Sequence, residues 1–205
     1  MVLAGESWLR AGATIEGSVK LPEPKPPAPI RSKYAGSFAS IAGLPDPPLA
    51  VVYLEGDLPA TASETNKVVQ VAQKDLQFRP ALLVIQKGTR IEFPNQDDEY
   101  HNVLSYSRAK EFDLGRYRKD VKAPSLLFDK PGVVELNCEI HDHMRGFVIV
   151  VETPYFTRTD ANGRFKMENL PTGAFTLKIW VNPRTLWKKT VELKEGETVQ
   201  VDFSQ

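Results

Sequence analysis

Soft metal ligands are scarce in this chain: 205 residues hold one cysteine, three histidines and three methionines. A single cysteine excludes an internal disulfide and leaves one thiol that needs a reason. An excess of charge is also missing. Lys plus Arg and Asp plus Glu both number 26, so nothing argues for nucleic acid or an anionic membrane as a partner. No apolar run approaches the roughly 20 residues that a spanning helix needs, so no transmembrane segment is expected. The opening, MVLAGESWLRAG, has no basic stretch followed by an apolar one and does not read as a secretory signal.

Strand signals are abundant. KVVQVAQ, ALLVIQ, TRIEFPN, HNVLSYS, SLLFDK, GVVELNC and RGFVIVVE are short, rich in Val, Ile, Leu and Phe, and bounded by turn formers. After Val51 no stretch longer than about ten residues keeps a helical period. QKG before Thr89, DKPG before Val133 and DANG before Arg164 supply the turns. The fold class is all-β, with enough apolar residues for one large core or two small ones. SYSRAKEFDLGRYRKD is charged and reads as a surface excursion whose basic residues would steer an acidic partner.

The first 65 residues differ. LPEPKPPAPI is proline-rich and reads as an extended segment, and SKYAGSFASIAGLPDPP as a long irregular loop. ATIEGSVKL and LAVVYLEG flank them as strands. At the other end, FTRTDANGRFKMENLPTGAFTLKIWV alternates apolar and polar residues on both sides of NLPTG. Trp180 and Trp187 there read as core or rim residues.

The scarce ligands are not scattered. NCEIHDHMRG, Asn137 to Gly146, holds the cysteine, two of the histidines and one methionine. Cys138, His141 and Met144 form a C-x2-H-x2-M pattern after the strand GVVELN, and a tight turn there aims all three at one spot. Thiolate, imidazole and thioether suit copper that cycles between Cu(I) and Cu(II). A second imidazole is needed, and only His101 stands outside the cluster, opening another strand. Two imidazoles, a thiolate and a distant thioether are the parts of a blue-copper electron-transfer site. With these residues engaged, no Ser-His-Asp or Cys-His-Asn set can be assembled, and no ligands remain for the second metal centre of an oxidase or reductase.

On LQFRPALLVIQKGTRIEFPN, HNV and FDKPGVVELNCEIHDHM, residues 66–152 resemble the cupredoxins, with a loop length like that of the amicyanin type within the plastocyanin-like group. The resemblance implies a Greek-key sandwich and one copper ion held by His101, Cys138, His141 and an axial Met144. It further implies that Asn102 braces the cysteine loop by a hydrogen bond and that His141 is the electron exit. Thr159 to Phe165, Leu170-Pro171-Thr172-Gly173 and the strand to Trp180 resemble the second half of a carboxypeptidase-regulatory-like domain, a small transthyretin-like sandwich. Gly17-Ser18-Val19 and Ala50 to Leu54 resemble its first half. Half a sandwich leaves apolar faces and edges exposed, so the expectation is one sandwich (14–57 with the proline-rich loop, and 153–205) interrupted by a copper domain (66–152). The alternative is that the first 60 residues extend the middle domain. The arrangement resembles bacterial plastocyanin-like proteins labelled as methylamine-utilisation proteins, a label that carries no substrate over.

His143 stands where the amicyanin type has an aromatic residue. In an extended chain it points the same way as His141 and competes with Met144 for the metal, giving a zinc-like site. The other readings are a surface histidine or a gate. Asp97, Asp98 and Glu99 are too few for the six to eight oxygens of Ca²⁺ and read as a solvated acidic loop for partner docking. The expected function is a one-electron carrier between transient redox protein partners, not an enzyme, in the periplasm or elsewhere outside the cytosol. The alternative is a copper- or zinc-binding module for storage, delivery or sensing, although three methionines speak against Met-rich delivery.

Overall fold

The computed structural model describes residues 12–24, 46–58 and 68–203. The expectations for the opening stretch, most of the proline-rich segment and most of the loop after it lie outside these residues. Two strands come first, β1 (Ala13–Val19) and β2 (Val51–Glu55). Then follow β3 (Val68–Gln70), β4 (Ala72–Lys74), β5 (Gln77–Arg79), β6 (Leu82–Gln86) and β7 (Thr89–Glu92). The next five are β8 (His101–Ser107), β9 (Lys110–Tyr117), β10 (Ser125–Phe128), β11 (Gly132–Asn137) and β12 (Arg145–Val151). The last are β13 (Phe156–Arg158), β14 (Arg164–Leu170), β15 (Gly173–Asn182), β16 (Thr185–Leu193) and β17 (Thr198–Phe203). Among the described residues no helix is long and apolar enough to cross a membrane.

The protein is all-β and divides into two compact units. Among the described residues, one contains 12–21, 50–58 and 155–203, and the other contains 22–24, 46–49 and 68–154. In the first unit, β1 lies between β14 and β17, and β2 between β13 and β15, with β16 at the far edge. Strand alternation sends Ala13, Ile15, Phe175, Leu177 and Ile179 to one side, where they meet Val52, Leu54, Phe165 and Met167 in a single core. NLPTG joins strands of different sheets, since β14 pairs with β1 and β15 with β2. Trp180 is buried. Trp187 stacks on Phe203 with ring centroids 5.8 Å apart and planes 8° from parallel.

The second unit has a five-stranded sheet, β6-β12-β11-β8-β9, a three-stranded sheet, β10-β7-β3, and the small hairpin β4-β5. Phe78, Phe93, Phe128, Leu136 and Val148 fill its core, and full burial of each such side chain is worth about 1.5–3 kcal/mol. The expected surface excursion after β8 is instead a strand for half its length. β9 pairs with β8 from His101↔Tyr117 to Ser107↔Lys110. Phe112, Leu114 and Tyr117 pack against the core, while Glu111 and Asp113 face solvent. The charged residues masked a period of two.

This topology sets the site. β11 and β12 are antiparallel, with Asn137 opposite Arg145, so residues 138–144 form the loop of a hairpin. β8 borders β11, with Leu104 opposite Asn137, and its first residue, His101, lies at the same end of the sheet.

Candidate metal centre

His101 is fully buried, Cys138 nearly so and His141 half-buried. Their donor atoms all lie within 4.8 Å of one another, and among the described residues no other group of three His, Cys, Asp or Glu does this. His101 Nδ1 is 3.1 Å from His141 Nδ1, and Cys138 Sγ is 3.9 Å from His141 Nδ1. Met144 is buried in the same apolar cluster as Cys138. Its N–H donates to the His141 carbonyl at 2.9 Å, which folds residues 141–144 into a tight turn.

These separations suit one ion. Imidazole nitrogen and thiolate bind a first-row metal such as zinc at about 2.0 Å and 2.3 Å, so two ligands of one ion stand at most about 4.0–4.3 Å apart. Both measured separations fall inside that reach. Bare nitrogen lone pairs at 3.1 Å repel unless a proton or cation lies between them. Two imidazoles with one thiolate are the strong donors of a type 1 copper site, and the cluster is consistent with one.

The thiol is primed to bind metal. Burial alone pushes Cys138 up, but hydrogen bonds from His101 and His141, and from the backbone of Asn102 and His141, bring it down to about 5. Burial likewise pushes His101 down, and its bonds to Asp97 and Cys138 outweigh that and raise it. The thiolate is the form that ligates.

Asn102 is buried beside the cluster. Its Oδ1 accepts from the Glu139 N–H at 3.2 Å, across to the cysteine loop, and its Nδ2 donates to Asp113 Oδ1 at 2.7 Å. His143 is half-buried rather than on the open surface, and its ring centroid is 6.0 Å from that of His141. Its Nε2 is engaged with the Leu76 carbonyl at 3.0 Å. The acidic loop splits in two. Asp98 is exposed and pairs with Lys119, in keeping with a solvated loop, but Asp97 turns inward and meets His101 Nε2 at 2.9 Å. Burial raises the Asp97 carboxyl, and bonds from His101, Leu76 and Asp75 reverse this and hold it below the usual carboxylate range. Sequence reasoning missed Asp97 as part of the site; its only local signal is a place four residues before a candidate ligand.

Residues 49–150 match the family model of the cupredoxin-like domain. No curated protein matches the chain. Among solved structures, the copper-containing nitrite reductase of Thermus scotoductus SA-01 is 27% identical over 48% of this chain, with a TM-score of 0.40. This chain spans only 25% of that enzyme's length. A purple cupredoxin from Nitrosopumilus maritimus is 22% identical, covering 40% of this chain and 99% of its own, with a TM-score of 0.36. An amicyanin variant in its reduced Cu(I) form is 22% identical, covering 49% of this chain and 98% of its own, with a TM-score of 0.38.

Proposed function

Since residues 49–150 match the family model of the cupredoxin-like domain, we propose a type 1 copper protein that carries single electrons between redox proteins. The observation that carries this reading is the convergence of His101, Cys138 and His141 at one end of a sheet. Bound copper supplies the Cu(I)/Cu(II) couple. The chain supplies everything that keeps the couple fast. His101 sits on a strand and Cys138 directly follows one, so neither ligand has far to move when the charge changes. Asn102 braces the cysteine loop through Glu139, and bonds of this kind orient ligands. Met144, buried in the same core as Cys138, would be the fourth donor and would tune the potential. Half-buried His141 is the exit toward a docked partner.

The partners are redox proteins met in brief encounters, outside the cytosol, in the periplasm. With the scarce ligands used in one centre, none remain for a second, and the protein is a carrier rather than an enzyme. The first unit is a carboxypeptidase-regulatory-like, transthyretin-like sandwich that serves as an attachment module. A zinc site of one cysteine and three histidines is disfavoured, because His143 is not in the group of donors that lie within 4.8 Å of one another.

The test is the visible absorption and EPR spectrum of the Cu(II)-loaded protein beside Met144→Ala. The expected result is an intense thiolate-to-copper band with narrow hyperfine splitting, shifted in the variant. A colourless protein that retains zinc would overturn the reading.

A further inference from the structure

The β4–β5 hairpin turns through Asp75 and Leu76 at φ 54° and 58°. Two successive left-handed residues make a type I′ turn, a place for Asn and Gly. A leucine there costs about 1–2 kcal/mol, so something must hold it. That something is Asp97. Its Oδ1 accepts from the Asp75 N–H at 2.8 Å and its Oδ2 from the Leu76 N–H at 2.9 Å. Oδ2 also meets His101 Nε2 at 2.9 Å. An ionised carboxylate only accepts, so that bond requires a proton on His101 Nε2, and in the neutral ring Nδ1 is then the bare nitrogen, 3.1 Å from His141 Nδ1.

The chain of contacts goes on. The Leu76 carbonyl accepts from His143 Nε2 at 3.0 Å, inside the 138–144 loop. Asp97 is itself fixed, since its N–H donates to Asn95 Oδ1 at 2.9 Å. Asn95 Nδ2 donates in turn to the carbonyls of Glu99 and Tyr117, at 2.9 and 3.0 Å. One strained turn therefore lies between a candidate ligand on β8 and the loop that carries the others.

We propose that Asp97 is a positioning residue of the metal centre: it locks His101 in the Nε2–H tautomer and, through the Asp75–Leu76 turn and His143, ties β8 to the 138–144 loop. The inference rests on the reading above that His101 binds copper. A carboxylate behind a ligating imidazole strengthens the donor nitrogen, which favours Cu(II) over Cu(I). A purely structural Asp97 would hold the hairpin and change neither tautomer nor potential.

The experiment has two parts. In the metal-free full chain, at a pH high enough for the His101 ring to be neutral, nitrogen-15 NMR of the imidazoles is expected to show His101 as the Nε2–H tautomer, and Asp97→Asn to lose that preference. In the copper-loaded protein, Asp97→Asn is expected to weaken Cu(II) binding about tenfold with Cu(I) binding little changed. That factor reads as a rise of about 59 mV in reduction potential for one electron. His143→Ala should speed copper loss to a chelator, and His143→Gln, whose amide N–H still reaches the Leu76 carbonyl, should restore the slow rate. An Nδ1–H tautomer in the wild-type protein, or an unchanged potential in Asp97→Asn, would overturn the proposal. If the wild-type protein forms no thiolate–copper band, the copper reading fails, while the metal-free tautomer still decides whether Asp97 orients His101. If Asp97→Asn does not fold, the wild-type tautomer and the His143 pair decide.

Discussion

At the residue scale, the candidate site stores charge in a buried place. Cys138 falls from an ordinary 9.0 to about 5. Between those values the unfolded chain binds a proton that the folded chain does not, so this group makes stability rise with pH. His143, pushed below its ordinary 6.5 chiefly by burial, adds a slope of the same sign below 6.5. His101 is raised above 6.5, so its contribution is complete below 6.5 and is lost as pH climbs through the folded value, opposing the Cys138 slope there. The metal-free protein should therefore gain stability from pH 5 to 6.5 and level off above it. Urea midpoints across that range check this, and Cys138→Ser should flatten much of the climb. Midpoints that fall from pH 5 to 6.5 would contradict it.

At the element scale, the first unit depends on how one turn docks. Asp160 Oδ1 accepts from the Asn162 and Arg164 N–H groups at 2.9 and 2.8 Å, and the Gly163 carbonyl receives the Val19 N–H at 2.8 Å. Gly163 has φ +80°, and a Cβ there would collide with the Val19 carbonyl oxygen. Gly196 has φ +69° but open space around it. Gly196→Ala should cost only the left-handed penalty of about 1–2 kcal/mol. Gly163→Ala should cost that plus the displacement of β1, at least about 3 kcal/mol in all. Equal losses in chemical denaturation would contradict the docking. DANG was readable as a turn from its residue types, because a turn is a local preference. That it closes on the end of β1 was not readable, because the contact spans the chain.

At the scale of the whole molecule, each unit has its own apolar core, which is what independent unfolding requires. Calorimetry should resolve two transitions, and copper should raise only the one that belongs to the second unit, because a ligand stabilises the fold that binds it. EDTA should reverse the shift. A single transition that moves as a whole would show that the cores melt together.

The sequence by itself determined the all-β class, most strands and the identities of the candidate donors. Those follow from side-chain period, turn chemistry and ligand softness, which act over a few residues. It left β9 hidden under charged side chains and Asp97 in what read as a solvated loop. Only the tertiary structure decided which donors meet, with His101 brought to His141 from 40 residues away. It alone showed that Asp97 supports His101 while holding a turn 21 and 22 residues upstream. The reason is physical: such bonds exist only when strand pairing has brought distant residues together, and no local preference encodes that pairing.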